Sequence, residues 1–164
     1  MMAALASAFM LLSYFPYLTY AIPAIAGMFI MVAVIEIDCK WAFGSYLASA
    51  FLVFLFAETE SKLMFIGLLG YYPIIKALIE RVKRPILEWL IKIAVFNLSL
   101  AVIYFALSAL IGINGEDLGI FGKYGVVILL ILGNVAFVLY DIAVSRMSVV
   151  YWNVFHHKIR KFIK

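Results

Sequence analysis

Charge is scarce in this chain. Of its 164 residues only 13% are Asp, Glu, Lys or Arg, while 68% are apolar; soluble domains run at about 25% charged and about 45 to 50% apolar. That shortage excludes a water-soluble fold, which would have too little polar surface to cover so much hydrocarbon. Cysteine is nearly absent too. The single Cys39 cannot close an internal disulfide and reads as an inert thiol near a helix end. No Lys or Arg precedes the first apolar run, "MMAALASAFMLLSYFPYL", so a cleaved signal peptide is not expected and the run reads as a first membrane helix. The residue-by-residue alternation of an outer-membrane barrel is missing as well.

Chemical signatures are also missing. The chain has no Gly-rich phosphate loop ending in Lys-Ser/Thr, no Gly-x-Ser-x-Gly turn, no His and acidic residues at metal-ligand spacing, and no Cys with a His at a compatible depth. No enzyme activity, cofactor or metal site is therefore expected. His156 and His157 are neighbours, which on a helix point about 100° apart and form no joint metal site. The net charge of +4 reads as a membrane topology marker, not as a nucleic-acid surface.

What the chain has is long apolar runs of about 17 to 25 residues, the length that crosses a hydrocarbon core roughly 30 Å thick. The reading is an all-α, polytopic membrane protein. It forms one domain over residues 1–164, a bundle of six transmembrane helices at about 3–20, 22–37, 41–57, 62–80, 90–111 and 124–145, followed by a basic C-terminal tail at 156–164. Lys and Arg near span ends set its orientation. With the N-terminus inside, the inner segments hold Lys40, Arg81, Lys83, Arg84, Lys92, Lys158, Arg160, Lys161 and Lys164, and the outer ones hold only Lys62 and Lys123. Short loops obey the positive-inside rule best, so both termini are expected in the cytoplasm and the protein in the cell membrane. Membrane lipid is then its first partner, and the basic tail suits anionic headgroups.

Prolines punctuate this layout. Pro16 and Pro23 flank the first turn, where Tyr14, Tyr17 and Tyr20 suit an interface. Pro73 leaves the Leu69 carbonyl without its helical donor, so a kink is expected midway along span four. In "ALIERVKRPILEWLIK", Arg84 stands before Pro85, which pushes it out of helical geometry while Pro85 opens a new helix. Pro85 to Ile111 is longer than the membrane core, so its first turns are expected among the headgroups, with Trp89 as an anchor and Glu88 paired with Lys92 one turn on.

Few polar residues lie within the spans. Lys76 and Asp141 sit at comparable depths, and either pair between spans four and six or snorkel separately to the headgroups. Asn97 and Asn134 are expected to form interhelical hydrogen bonds. Ala4 and Ala8, like Gly44 and Ala48, stand four apart on one helix face and allow another helix to approach closely.

Six spans in so short a chain, the Ala4/Ala8 face, the first loop "FPYLTYAIP" and a longer loop before the last span together resemble the substrate-binding (S) components of energy-coupling factor (ECF) transporters. The resemblance implies that Ala4 and Ala8 face a transmembrane scaffold subunit driven by two ATPases. It also implies a vitamin or similar small-molecule ligand held at the outer end. The candidate substrate-binding residues are Tyr17, Tyr20, Glu58, Glu60, Asn114, Glu116, Asp117 and Tyr124, which offer ring area and carboxylates. The substrate stays open, since no residues match a vitamin-specific motif. Rod-shape proteins of the MreD type are similar in size and topology, and a scaffold for an envelope assembly is the alternative. A lipid-acting membrane enzyme is the third.

Overall fold

The first helix stops where a proline follows. Phe15, which precedes Pro16, lies in extended backbone at φ −76° and ψ 126°, the conformation that the ring of a following proline enforces. The computed structural model describes residues 1–15, 18–111 and 125–156. Helix α1 covers Met2–Met10 and tightens into a 3₁₀ turn over Leu11–Tyr14. The first rod is therefore shorter than the expected 3–20, and Pro16 is the reason. Helix α2 covers Ala21–Glu36, and α3 covers Cys39–Phe56, its N-terminus capped by the Asp38 carboxylate accepting from the Cys39 amide at 2.7 Å.

The fourth rod is broken in its middle. Helix α4, Thr59–Met64, widens into a π-helical turn over Phe65–Leu69, and α5 resumes at Tyr72–Ile79 with Pro73 in its first turn. The Gly70 amide donates to the Phe65 carbonyl, one residue further back than an α-helix allows. A 3₁₀ turn over Glu80–Val82 ends the rod. Lys83 then takes the left-handed conformation at φ 54°, and α6 opens at Pro85 and runs to Ile111 as the proline rule implies. Helix α7 covers Gly125–Val150, continues as a π turn over Tyr151–His156, and so outruns the expected end at 145.

Helix dominates the described residues, and no strand occurs among them. Among the described residues, four rods are long and apolar enough to cross a membrane: Cys39–Phe56, Thr59–Val82, Pro85–Ala106 and Leu130–Val154. The apolar helices Met2–Tyr14 and Ala21–Glu36 are shorter; at 16 residues α2 is only about 24 Å long. Helix α2 is central, packing against α1, α3, α5 and α7 and burying seven of its residues. Around the bundle large apolar side chains stand exposed, among them Phe51, Phe54, Leu98, Phe105 and Leu139 at 63% or more. A ring of such residues suits contact with lipid, not water.

Two cores fill the bundle. One joins α1, α2 and α3 through Ala6, Met10, Ala26, Ile30 and Val53. The other joins the broken rod to α6 and α7, with Phe96 stacked on Phe137 at 4.4 Å and Tyr72 set edge-on to Phe137 at 5.0 Å. Where α2 crosses the break, Gly27 allows the closest approach: a Cβ there would stand 2.4 Å from the Leu69 carbonyl oxygen and 2.7 Å from the Tyr140 hydroxyl. Only glycine fits.

Candidate functional site

The break in the fourth rod aims α5 so that Tyr72, Lys76 and Glu80, each four residues apart, lie along one face. Opposite that face, α7 presents Asp141 and Ser145 at the same spacing, and α6 presents Lys92. Their polar groups close into one cluster. The Lys76 ammonium contacts the Asp141 carboxylate, donates to the Asp141 carbonyl at 2.9 Å and to the Ser145 hydroxyl at 2.7 Å, and stands 3.5 Å from Glu80. The Tyr72 hydroxyl donates to the same carboxylate. Lys92 reaches Asp141 at 3.3 Å and Glu80 at 3.2 Å.

Two ammonium groups and two carboxylates thus balance. Lys76, Lys92 and Asp141 are each 5% exposed or less as residues, whereas the Glu80 side chain is 46% exposed. A buried charge is tolerated only when paired and hydrogen-bonded, and this cluster meets that condition without a ligand. It can act as a lock between α5, α6 and α7, with Glu80 as its only half-open member.

Lys76 and Asp141, for which pairing and separate snorkelling were both open, meet directly. Lys92 corrects an expectation. It pairs with Glu80 and Asp141, and not with Glu88 one turn away; its side chain turns inward, where only 6% remains exposed, and its ammonium lies 5.6 Å from the Trp89 ring. Burying that stem between α5 and α7 outweighs a local pair on a solvated face, which is worth only a few tenths of a kcal/mol. Glu80, Tyr72 and Ser145 were missed, although the 72–76–80 and 141–145 spacings were visible signals.

A second polar group caps the other end of the broken rod. The Tyr20 hydroxyl donates to Glu60 at 3.2 Å, the Thr19 hydroxyl to Glu58 at 3.4 Å, and the Ser61 hydroxyl to the Thr19 carbonyl at 2.9 Å. Partial burial first, and then the charge of Glu60, raise the Tyr20 phenol above its usual range. Of the substrate-binding candidates, Tyr20, Glu58 and Glu60 are therefore brought together, each tied to a neighbour. Tyr17, Asn114, Glu116, Asp117 and Tyr124 lie outside the described residues, as do residues 157–164 of the basic tail.

The remaining candidates lie on the flank. Ala4 and Ala8 are exposed on α1 while Ala6 and Met10 face the core. Ala8 borders a shallow apolar groove of about 260 Å³ whose far wall is Leu52, Val53 and Phe56 of α3. Between α6 and α7, Asn97 and Asn134 exchange two hydrogen bonds of 3.2 Å. Among the described residues, no group of three His, Cys, Asp or Glu is placed to hold a metal ion. No family model, curated protein or solved structure matches this chain.

Proposed function

We propose that this chain is a membrane subunit that works by docking to a partner through α1, specifically the substrate-binding component of an ECF-type micronutrient transporter. In this reading all six rods cross the cell membrane, both termini lie in the cytoplasm, and the end bearing Tyr20, Glu58 and Glu60 faces outward. The observation that carries the proposal is the sidedness of α1. Ala4 and Ala8 are exposed and each sets only a methyl group between the backbone and a neighbouring helix, while Ala6 and Met10 are committed to the core. The polar cap at Tyr20, Glu58 and Glu60 supports a ligand at the outer end, where rings and carboxylates would supply stacking and hydrogen bonds.

A second reading, an MreD-type scaffold for an envelope assembly, draws on a different observation. The polar atoms at that cap already bind one another, leaving a partner protein as the simpler use of the bundle. Affinity purification in mild detergent separates the two. Recovery of a transmembrane scaffold with two ATPases supports transport, and its loss in Ala4→Leu or Ala8→Leu places the contact on α1. Recovery of envelope-synthesis proteins instead overturns the transport reading.

A further inference from the structure

The elbow between α5 and α6 concentrates positive charge at one end of the bundle. Arg81, Lys83 and Arg84 are all exposed. Arg81 stands 4.0 Å from the Asp38 carboxylate, a loose contact, and Lys83 and Arg84 hold no ion pair among the described residues. Directly after the elbow, α6 exposes apolar side chains: Ile86 at 79%, Leu90 at 61% and Trp89 at 39%. A cationic turn followed within one helical turn by bare hydrocarbon matches one class of molecule, an acidic headgroup on acyl chains.

The cluster beneath the elbow supplies the second element. Lys92 lies under the Trp89 ring and binds Glu80, and Glu80 is the one member of the cluster that is half exposed. Its Oε1 stands within 3.5 Å of both Lys76 and Lys92. Glu80 therefore occupies an anion position that is half open and immediately precedes the elbow. Asp141, by contrast, is enclosed and saturated by Lys76, Lys92 and Tyr72. An oxygen of an outside anion could take the Glu80 position without disturbing Asp141.

We propose that the α5–α6 elbow is a binding site for an anionic phospholipid. Its phosphate is held by Arg81, Lys83 and Arg84 and competes with Glu80 for Lys92, while its acyl chains lie along Ile86 and Leu90. Charge complementarity and the adjoining apolar face select this occupant over a soluble anion, which would have no use for the second feature. Competition with Glu80 distinguishes a seated headgroup from diffuse attraction to a basic loop.

The test uses the full chain in nanodiscs of equal phosphatidylglycerol and phosphatidylcholine, extracted into mild detergent, with the retained lipid counted by mass spectrometry. The expected result is phosphatidylglycerol enriched roughly fivefold or more. The enrichment is abolished in the exposed triple variant Arg81→Gln, Lys83→Gln, Arg84→Gln and raised in Glu80→Gln. The double variant Lys40→Gln, Arg146→Gln, which also removes exposed cations, leaves it unchanged. Absence of enrichment in the unmodified protein overturns the proposal. So does a Glu80→Gln variant that retains less phosphatidylglycerol, or a control double variant that loses as much as the triple. Inorganic phosphate that strips the lipid as completely as the triple variant assigns the site to a soluble anion and overturns the lipid reading. Unchanged helical circular dichroism in each variant ties these outcomes to binding, not to unfolding.

Discussion

Tyr140 on α7 donates its hydroxyl to the Leu69 carbonyl at 3.1 Å, the carbonyl whose helical donor would be residue 73, a proline. The break in the fourth rod is thus satisfied from another helix, as buried irregular backbone requires. Tyr46 serves the Ile66 carbonyl in the same way, at 2.7 Å. The π turn is held open by phenols on either side of it.

Tyr140→Phe should leave the Leu69 carbonyl without a donor and destabilise the bundle by about 1 to 2 kcal/mol. The background variant Pro73→Ala returns an amide N–H to residue 73, so the same Tyr140→Phe change should cost less there. Unfolding by a denaturing detergent, measured over the four variants of this cycle, reads the difference. Equal costs in both backgrounds would detach Tyr140 from the break.

The Lys76–Asp141 contact predicts strong coupling. Asp141→Asn leaves two buried ammonium groups sharing Glu80, and a loss of about 3 to 5 kcal/mol is expected, as for a buried pair deprived of one partner. Lys76→Met alone leaves Asp141 to Lys92 and Tyr72 and should cost less. In the double variant Lys76→Met, Asp141→Asn, Lys92 keeps Glu80, so the loss should fall short of the sum of the singles. Additive losses in the same unfolding assay would show that the two side chains act independently.

Asn97 and Asn134 make a smaller, symmetric link between α6 and α7. Each amide donates to the other and also to the carbonyl four residues back. Asn97→Leu should cost roughly 0.6 to 1.7 kcal/mol, the range for interhelical bonds in bilayers. Adding Asn134→Leu should cost little more, because one partner is already lost.

Local rules reached far into this fold. Pro16, Pro73 and Pro85 each mark a helix end or break, because a proline acts on its own neighbours and needs no knowledge of distant chain. Pro73 in the same way leaves the Leu69 carbonyl without its helical donor, but nothing near it in sequence identifies the replacement, which lies 71 residues away. Lys92 shows the opposite failure: the local spacing favoured Glu88, and packing against α5 and α7 turned the side chain inward. Tyr20, Glu58 and Glu60 were legible as candidates by residue type. That their polar atoms bind one another depends on the first and third connections meeting, which spacing does not reveal.

Two glycines on neighbouring helices separate packing from openness. A Cβ on Gly27 would fall 2.4 Å from the Leu69 carbonyl oxygen, a backbone atom held by Tyr140, so neither side can yield cheaply. Gly27→Ala should therefore push α2 away from the break, disrupt the Tyr140 bond and cost about 1 to 3 kcal/mol or more. Gly44 on α3 has nothing within 4 Å of the same added atom. Gly44→Ala should leave stability unchanged or raise it slightly, since alanine favours a helix interior by about 1 kcal/mol over glycine. If a partner helix packs on the Gly44 and Ala48 face, the same substitution weakens recovery of that partner while the isolated chain unfolds no earlier. Measuring detergent unfolding and partner recovery side by side on these two variants distinguishes a glycine needed for the fold from one exposed on its surface.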